Sequence, residues 1–88
     1  MPVVRLYANL RLLAGAKTFE VPGDTLQVVL QNLCLENEKL EKSILDEDRL
    51  RPFVQVMVNG LYVSREDSLS RPLDPEDLVS IFPAIAGG

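Results

Sequence analysis

The sequence predicts an α+β roll, one mixed β-sheet curved over one main helix. Three observations predict it. Leu26, Val29, Leu30 and Leu33 recur at i, i+3, i+4 and i+7, the apolar stripe of a helix packed on a sheet. Val3–Ala8, Phe53–Val58 and Leu78–Phe82 are β-branched or alternating runs of strand length. With 88 residues the chain is expected to form one domain, which at this size buries about 60–65% of its unfolded surface in one compact core.

In chain order, Val3-Val4-Arg5-Leu6-Tyr7-Ala8 is the first strand. Leu10-Arg11-Leu12-Leu13-Ala14 is a short helical turn, with Gly15 as its C-terminal stop. Thr18-Phe19-Glu20-Val21 is the second strand, ended by Pro22-Gly23. Asp24 or Thr25 caps the main helix, and Gln27 sits where a capping-box partner to Asp24 would lie. Residues 36–51 are charged, with Leu40, Ile44, Leu45 and Leu50 as periodic anchors, and read as one short helix followed by a loop. Phe53–Val58 is a strand closed by the turn dipeptide Asn59-Gly60. Leu61-Tyr62-Val63 is a short extended segment, and Leu69–Asp77 is a loop with a turn at Asp74-Pro75-Glu76-Asp77. Leu78–Phe82 is the last strand, and Pro83 stops it by withholding a ladder donor. The order β-β-α-β-(β)-β is that of a β-grasp roll over residues 1–82. A split ferredoxin-like fold is the alternative, with the acidic stretch as its second helix.

Composition removes most autonomous chemistry. There is no His, so imidazole bases, His metal ligands and Ser–His or Cys–His nucleophiles are excluded. One Cys permits neither an internal disulfide nor a thiolate zinc site, and Cys34, set among Leu30, Leu33 and Leu35, reads as buried and inert. The acidic residues of 36–48 and 64–77 are mixed with Lys and Arg and read as solvated surface rather than a catalytic pair. Gly15, Gly23 and Gly60 lack the spacing of a phosphate loop. A net charge of −4 argues against nucleic acid as partner. No apolar run approaches the roughly 20 residues of a membrane span, and the N-terminus lacks signal-peptide character, so the expected location is the cytoplasm.

What remains is the C-terminus. After Pro83 come Ala84-Ile85-Ala86-Gly87-Gly88, with no charged residue. Residues 83–88 read as a flexible tail that reaches about 20 Å at roughly 3.4 Å per residue. Such a tail carries its carboxylate into another protein's active site while the body docks outside. Glycine at Gly87 and Gly88 passes a narrow channel and leaves the carbonyl open to attack. A terminal carboxyl with a pKa of about 3.3–3.7 is ionised at neutral pH, so it is a nucleophile toward the α-phosphate of ATP when a partner supplies the nucleotide.

The chain resembles the MoaD/ThiS ubiquitin-like sulfur carriers, especially molybdopterin synthase small subunits. The resemblance runs through Val4–Gly15, Gly23-Asp24-Thr25-Leu26, Val58-Asn59-Gly60, Leu73–Pro83 and the terminal Gly-Gly. It implies that an E1-like adenylating enzyme, which supplies ATP and Mg, adenylates Gly88. Sulfur from a persulfide then displaces AMP to leave a C-terminal thiocarboxylate. The acceptor it implies is the molybdenum- or tungsten-cofactor precursor held by the synthase large subunit, and the chain itself binds no cofactor. Two features differ from many synthase small subunits: Ala84 stands where a second proline is common, and residues 36–52 are longer. The longer form is similar to carriers for cysteine synthesis and to archaeal modifiers; carriers for tRNA thiolation are a further branch.

Strand alternation adds a docking surface. With Val4, Leu6, Val54, Val56, Val58, Val79 and Ile81 toward the helix, Arg5, Tyr7, Gln55, Met57, Ser80 and Phe82 point away. Tyr7, Met57 and Phe82, with Tyr62 and Pro83, then form an exposed apolar patch near the tail, the place where the family docks its partners. Arg11 matches a recurrent family position and reads as a surface arginine. Two further readings stay open: a protein modifier joined to lysines through the same tail, and an interaction domain in which Gly-Gly is incidental.

Overall fold

The computed structural model describes residues 1–47, 49–52, 54–63 and 69–83. Strand β1 (Val3–Leu6) is followed by helix α1 (Asn9–Ala14), strand β2 (Thr18–Glu20), helix α2 (Leu26–Glu36) and helix α3 (Glu38–Ile44). Strands β3 (Leu45–Asp46), β4 (Arg49–Leu50), β5 (Gln55–Val58), β6 (Leu61–Tyr62) and β7 (Leu78–Phe82) complete the chain order. The main sheet runs β2-β1-β7-β5-β6. β1 pairs parallel with β7, while the β1–β2, β5–β7 and β5–β6 pairs are antiparallel. This is the ubiquitin-like β-grasp. The ferredoxin-like alternative falls, because the N-terminal hairpin and the C-terminal strand make a central parallel pair under one long helix.

One core joins the sheet and the helices. Val4, Leu6, Val56, Val58, Val79 and Ile81 from the strands are buried with Leu26, Val29, Leu30 and Leu33 of α2. Val54 joins them, so every residue expected on the inner face is there. β1 stops at Leu6, not Ala8, because Ala8 takes φ 53 and turns the chain into α1. Gly15 closes α1 in the left-handed region at φ 78 and donates to the Arg11 carbonyl, as expected.

The capping box expected at Asp24 and Gln27 does not form. Thr25 is the N-cap, and its Oγ1 accepts from the Val28 amide at 3.3 Å. Of the two candidate caps, Asp24 instead stays outside the helix, where its carbonyl accepts from Leu73 N at 2.9 Å. The loop before β7 does the rest of the capping: Leu26 N donates to Arg71 O and Gln27 N to Leu69 O, which satisfies first-turn amides that have no intrahelical partner. Gly23 lets the chain itself pass close to the start of α2, since a Cβ there would lie 2.7 Å from Val29 Cγ2.

Residues 36–51 also depart from expectation. The helix is present as α3, but a two-stranded hairpin of β3 and β4 follows it in place of a loop. Leu45 and Leu50 are both buried and face each other in register. Burying these anchors takes their backbone from water, and the hairpin supplies the missing partners. Glu47, at φ 58, makes the turn.

Candidate functional site

β7 lies between β1 and β5, so the chain leaves the sheet through Phe82 and Pro83 at its centre and not from an edge. Pro83 is half-buried where it leaves the strand. The outer face beside this exit is set by register. Thr18, Arg5, Ser80, Met57 and Tyr62 face one another in sequence across all five strands. In the next row toward the exit, Tyr7 stacks on Phe82, with ring centroids 4.4 Å apart and planes inclined by 16°. Gln55 flanks Phe82 on the other side. An offset pair of this kind holds both rings upright and presents apolar area with little left to order on contact.

Of the residues expected at the patch, Tyr7 and Phe82 are in direct contact, and Met57 and Tyr62 are cross-strand partners. Tyr62 stays 68% exposed. Ser80 points outward as expected yet is buried, because its short side chain forms the floor between Arg5 and Met57. The Arg5 guanidinium, with help from the Ser80 hydroxyl and the charge of Lys17, holds the Tyr7 phenol below its ordinary range against the opposing effect of burial. Leu61 belongs beside Tyr62 as a second exposed apolar side chain at the β6 edge, at 71% exposure. Strand alternation assigns Leu61 to the inner face opposite Val58, yet at the edge of the sheet it stays exposed. Gly87 and Gly88 lie outside the described residues.

A family model described as the ThiS family matches residues 4–88. The chain belongs to the ThiS family. Small archaeal modifier protein 3 of Haloferax volcanii is 34% identical over 88 residues, covering 97% of this chain and 96% of that protein. Sulfur carrier protein CysO of Mycobacterium tuberculosis is 31% identical over 77 residues, covering 84% of this chain and 83% of that protein. A chain of the Amycolatopsis orientalis BexX/CysO complex superposes with a TM-score of 0.86 at 26% identity, over 100% of both chains. The relatives of this ThiS-family chain are thus small sulfur carriers and modifiers, and the solved CysO complex is one of a carrier with a partner protein.

The side chains offer this family member little other chemistry. Burial, with a contribution from Glu41, pushes the Cys34 thiol up to about 11, so it is a core residue and not a nucleophile. Among the described residues no three His, Cys, Asp or Glu side chains gather as a metal site. No helix among them is long and apolar enough to cross a membrane.

Proposed function

We propose that this chain is a sulfur carrier whose Gly88 carboxylate is adenylated by an E1-like enzyme and converted to a thiocarboxylate. The observation that carries the reading is the coincidence of two features: the last strand delivers Pro83 from the centre of the sheet, beside the half-buried Tyr7–Phe82 stack on the outer face. A partner covering that stack sits where the tail departs. The carboxylate attacks the α-phosphate of ATP held by that partner and releases pyrophosphate. The terminal sulfur of a donor persulfide displaces AMP, and a thiol cleaves the resulting acyl disulfide to leave the thiocarboxylate.

Within this reading the acceptor is the molybdopterin precursor on a synthase large subunit, the family resemblance being its support. The likeness to small archaeal modifier protein 3 favours a second reading, a modifier joined to lysines. Intact-protein mass spectrometry after incubation with the activating enzyme, ATP–Mg and a persulfide donor tests the first. One oxygen replaced by sulfur at Gly88 is expected, and a variant lacking Gly87 and Gly88 gains nothing while melting like the full chain. No mass change with an enzyme that charges another carrier refutes the sulfur reading, and Gly-Gly remnants on cellular lysines establish the modifier.

A further inference from the structure

Arg5 stands in the middle of the outer face, with Thr18 on one side and Ser80 on the other. Its row holds no carboxylate: Thr18, Ser80, Met57 and Tyr62 are its members. Glu20, the outward acid of β2, pairs across from Val3 one step away from the Tyr7–Phe82 end. Among the described residues no carboxylate engages Arg5, and its Nε is buried without a hydrogen-bond acceptor. Among the described residues the guanidinium meets the neutral Tyr7 hydroxyl, which Ser80 also contacts; Lys17 adds a second positive charge nearby. This part of the face is therefore cationic on a chain whose net charge is −4.

We propose that Arg5 is a specificity-determining contact of the docking face, and that the activating enzyme presents an Asp or Glu carboxylate to it beside an apolar surface that covers the Tyr7–Phe82 stack. The inference rests on the carrier reading above. A planar guanidinium offers its donors as a rigid fork that matches the two oxygens of a carboxylate. Arg5 is half-exposed, so an arriving carboxylate reaches the outer nitrogens of the fork and adds charged acceptors beside the neutral Tyr7 hydroxyl. Covering the aromatic stack removes water from the same spot, where a charge pair discriminates between partners more strongly than one at the rim. An activating enzyme without the acid would bury the guanidinium without a carboxylate to balance its charge, and would be rejected.

The test is ATP–pyrophosphate exchange by the purified activating enzyme of the same organism, with KM and kcat measured for the carrier. Arg5→Gln is expected to raise KM about tenfold and Arg5→Glu about a hundredfold, with Arg5→Lys between wild type and Arg5→Gln. The wild-type KM should rise with salt more steeply than that of Arg5→Gln. Lys42→Gln, which removes an exposed cation from α3 on the helix side, should leave KM as it is. Urea midpoints of the same variants show that each is folded, and the salt slope of the wild type reads the contact without any substitution. KM within twofold of wild type for Arg5→Gln and Arg5→Glu, while Tyr7→Ala raises it, overturns the role of Arg5 and leaves the carrier reading intact. No exchange with wild type removes that reading and this inference with it. A salt-sensitive dimer of the carrier alone that Arg5→Glu dissolves assigns the face to a second copy of the chain and overturns the inference as well.

Discussion

Replacing Phe82 by Ala separates docking from folding when it is set beside the same change at its neighbour Ile81. Ile81 is fully buried between Leu6 and Val56 on the inner face. Truncating such a residue leaves a cavity and costs about 2–5 kcal/mol. Phe82 is half-buried on the outer face, against Tyr7 at 4.4 Å. Its truncation forfeits about 0.5 kcal/mol of stacking at an open site and about 1 kcal/mol of partial burial. A domain stable by about 5 kcal/mol or more stays over 99% folded after such a loss, so any rise in KM reports docking. Loss of an aromatic anchor from an interface costs about 2 kcal/mol or more, roughly 30-fold in affinity. Urea unfolding and pyrophosphate exchange on both variants measure the two effects. Ile81→Ala should lose more stability, and Phe82→Ala more affinity. A loss of about 3 kcal/mol in Phe82→Ala with unchanged KM for the folded protein would show that Phe82 is a core residue and that the outer face is not the docking surface.

Three further outcomes follow from the geometry. Asp77 accepts from the Asp74 amide and the Asn59 side chain, which hold its carboxyl below the usual range. The unfolded chain therefore takes up a proton first: the stability from Asp77 is complete above about pH 3.9 and is lost as pH falls from there through the lowered folded value. Asp77→Asn should flatten this part of the melting temperature profile, and an unchanged acid slope would show that Asp77 is not responsible. Ala8 holds φ 53 and ψ −132, a conformation that favours glycine, so Ala8→Gly should stabilise by about 1 kcal/mol and raise Tm by about 4–8 °C; a lower Tm sinks the reasoning. Cys34, with its thiol raised to about 11 and its side chain buried, should resist a disulfide-exchange reagent at pH 8 until urea unfolds the chain, and rapid labelling of the native protein would contradict that.

The Asn59–Asp77 contact shows where reading the chain ends and the structure begins. Asn59-Gly60 and Asp74–Asp77 are both legible as turns, each from its own residues. That they lock together is not legible: Asn59 donates to Asp77 Oδ1 at 2.8 Å and accepts from Leu78 N at 2.9 Å, joining the end of β5 to the start of β7. The Tyr7–Phe82 stack is of the same kind, two residues placed on the outer face by local alternation and brought together only by the parallel pairing of β1 with β7.

The inward set of every long strand and the buried stripe of α2 were readable from the residues alone. These depend on periods of two and of 3.6 residues, which the backbone imposes locally whatever lies nearby. Tertiary structure decided the strand order, the hairpin after α3, the choice of Thr25 over Asp24 as N-cap, the burial of Ser80 and the lack of an acceptor for Arg5 Nε. Each of those depends on which distant backbone or side chain arrives as neighbour, and a hydrogen bond or an ion pair is satisfied, or left open, only by what is within about 3–4 Å of it.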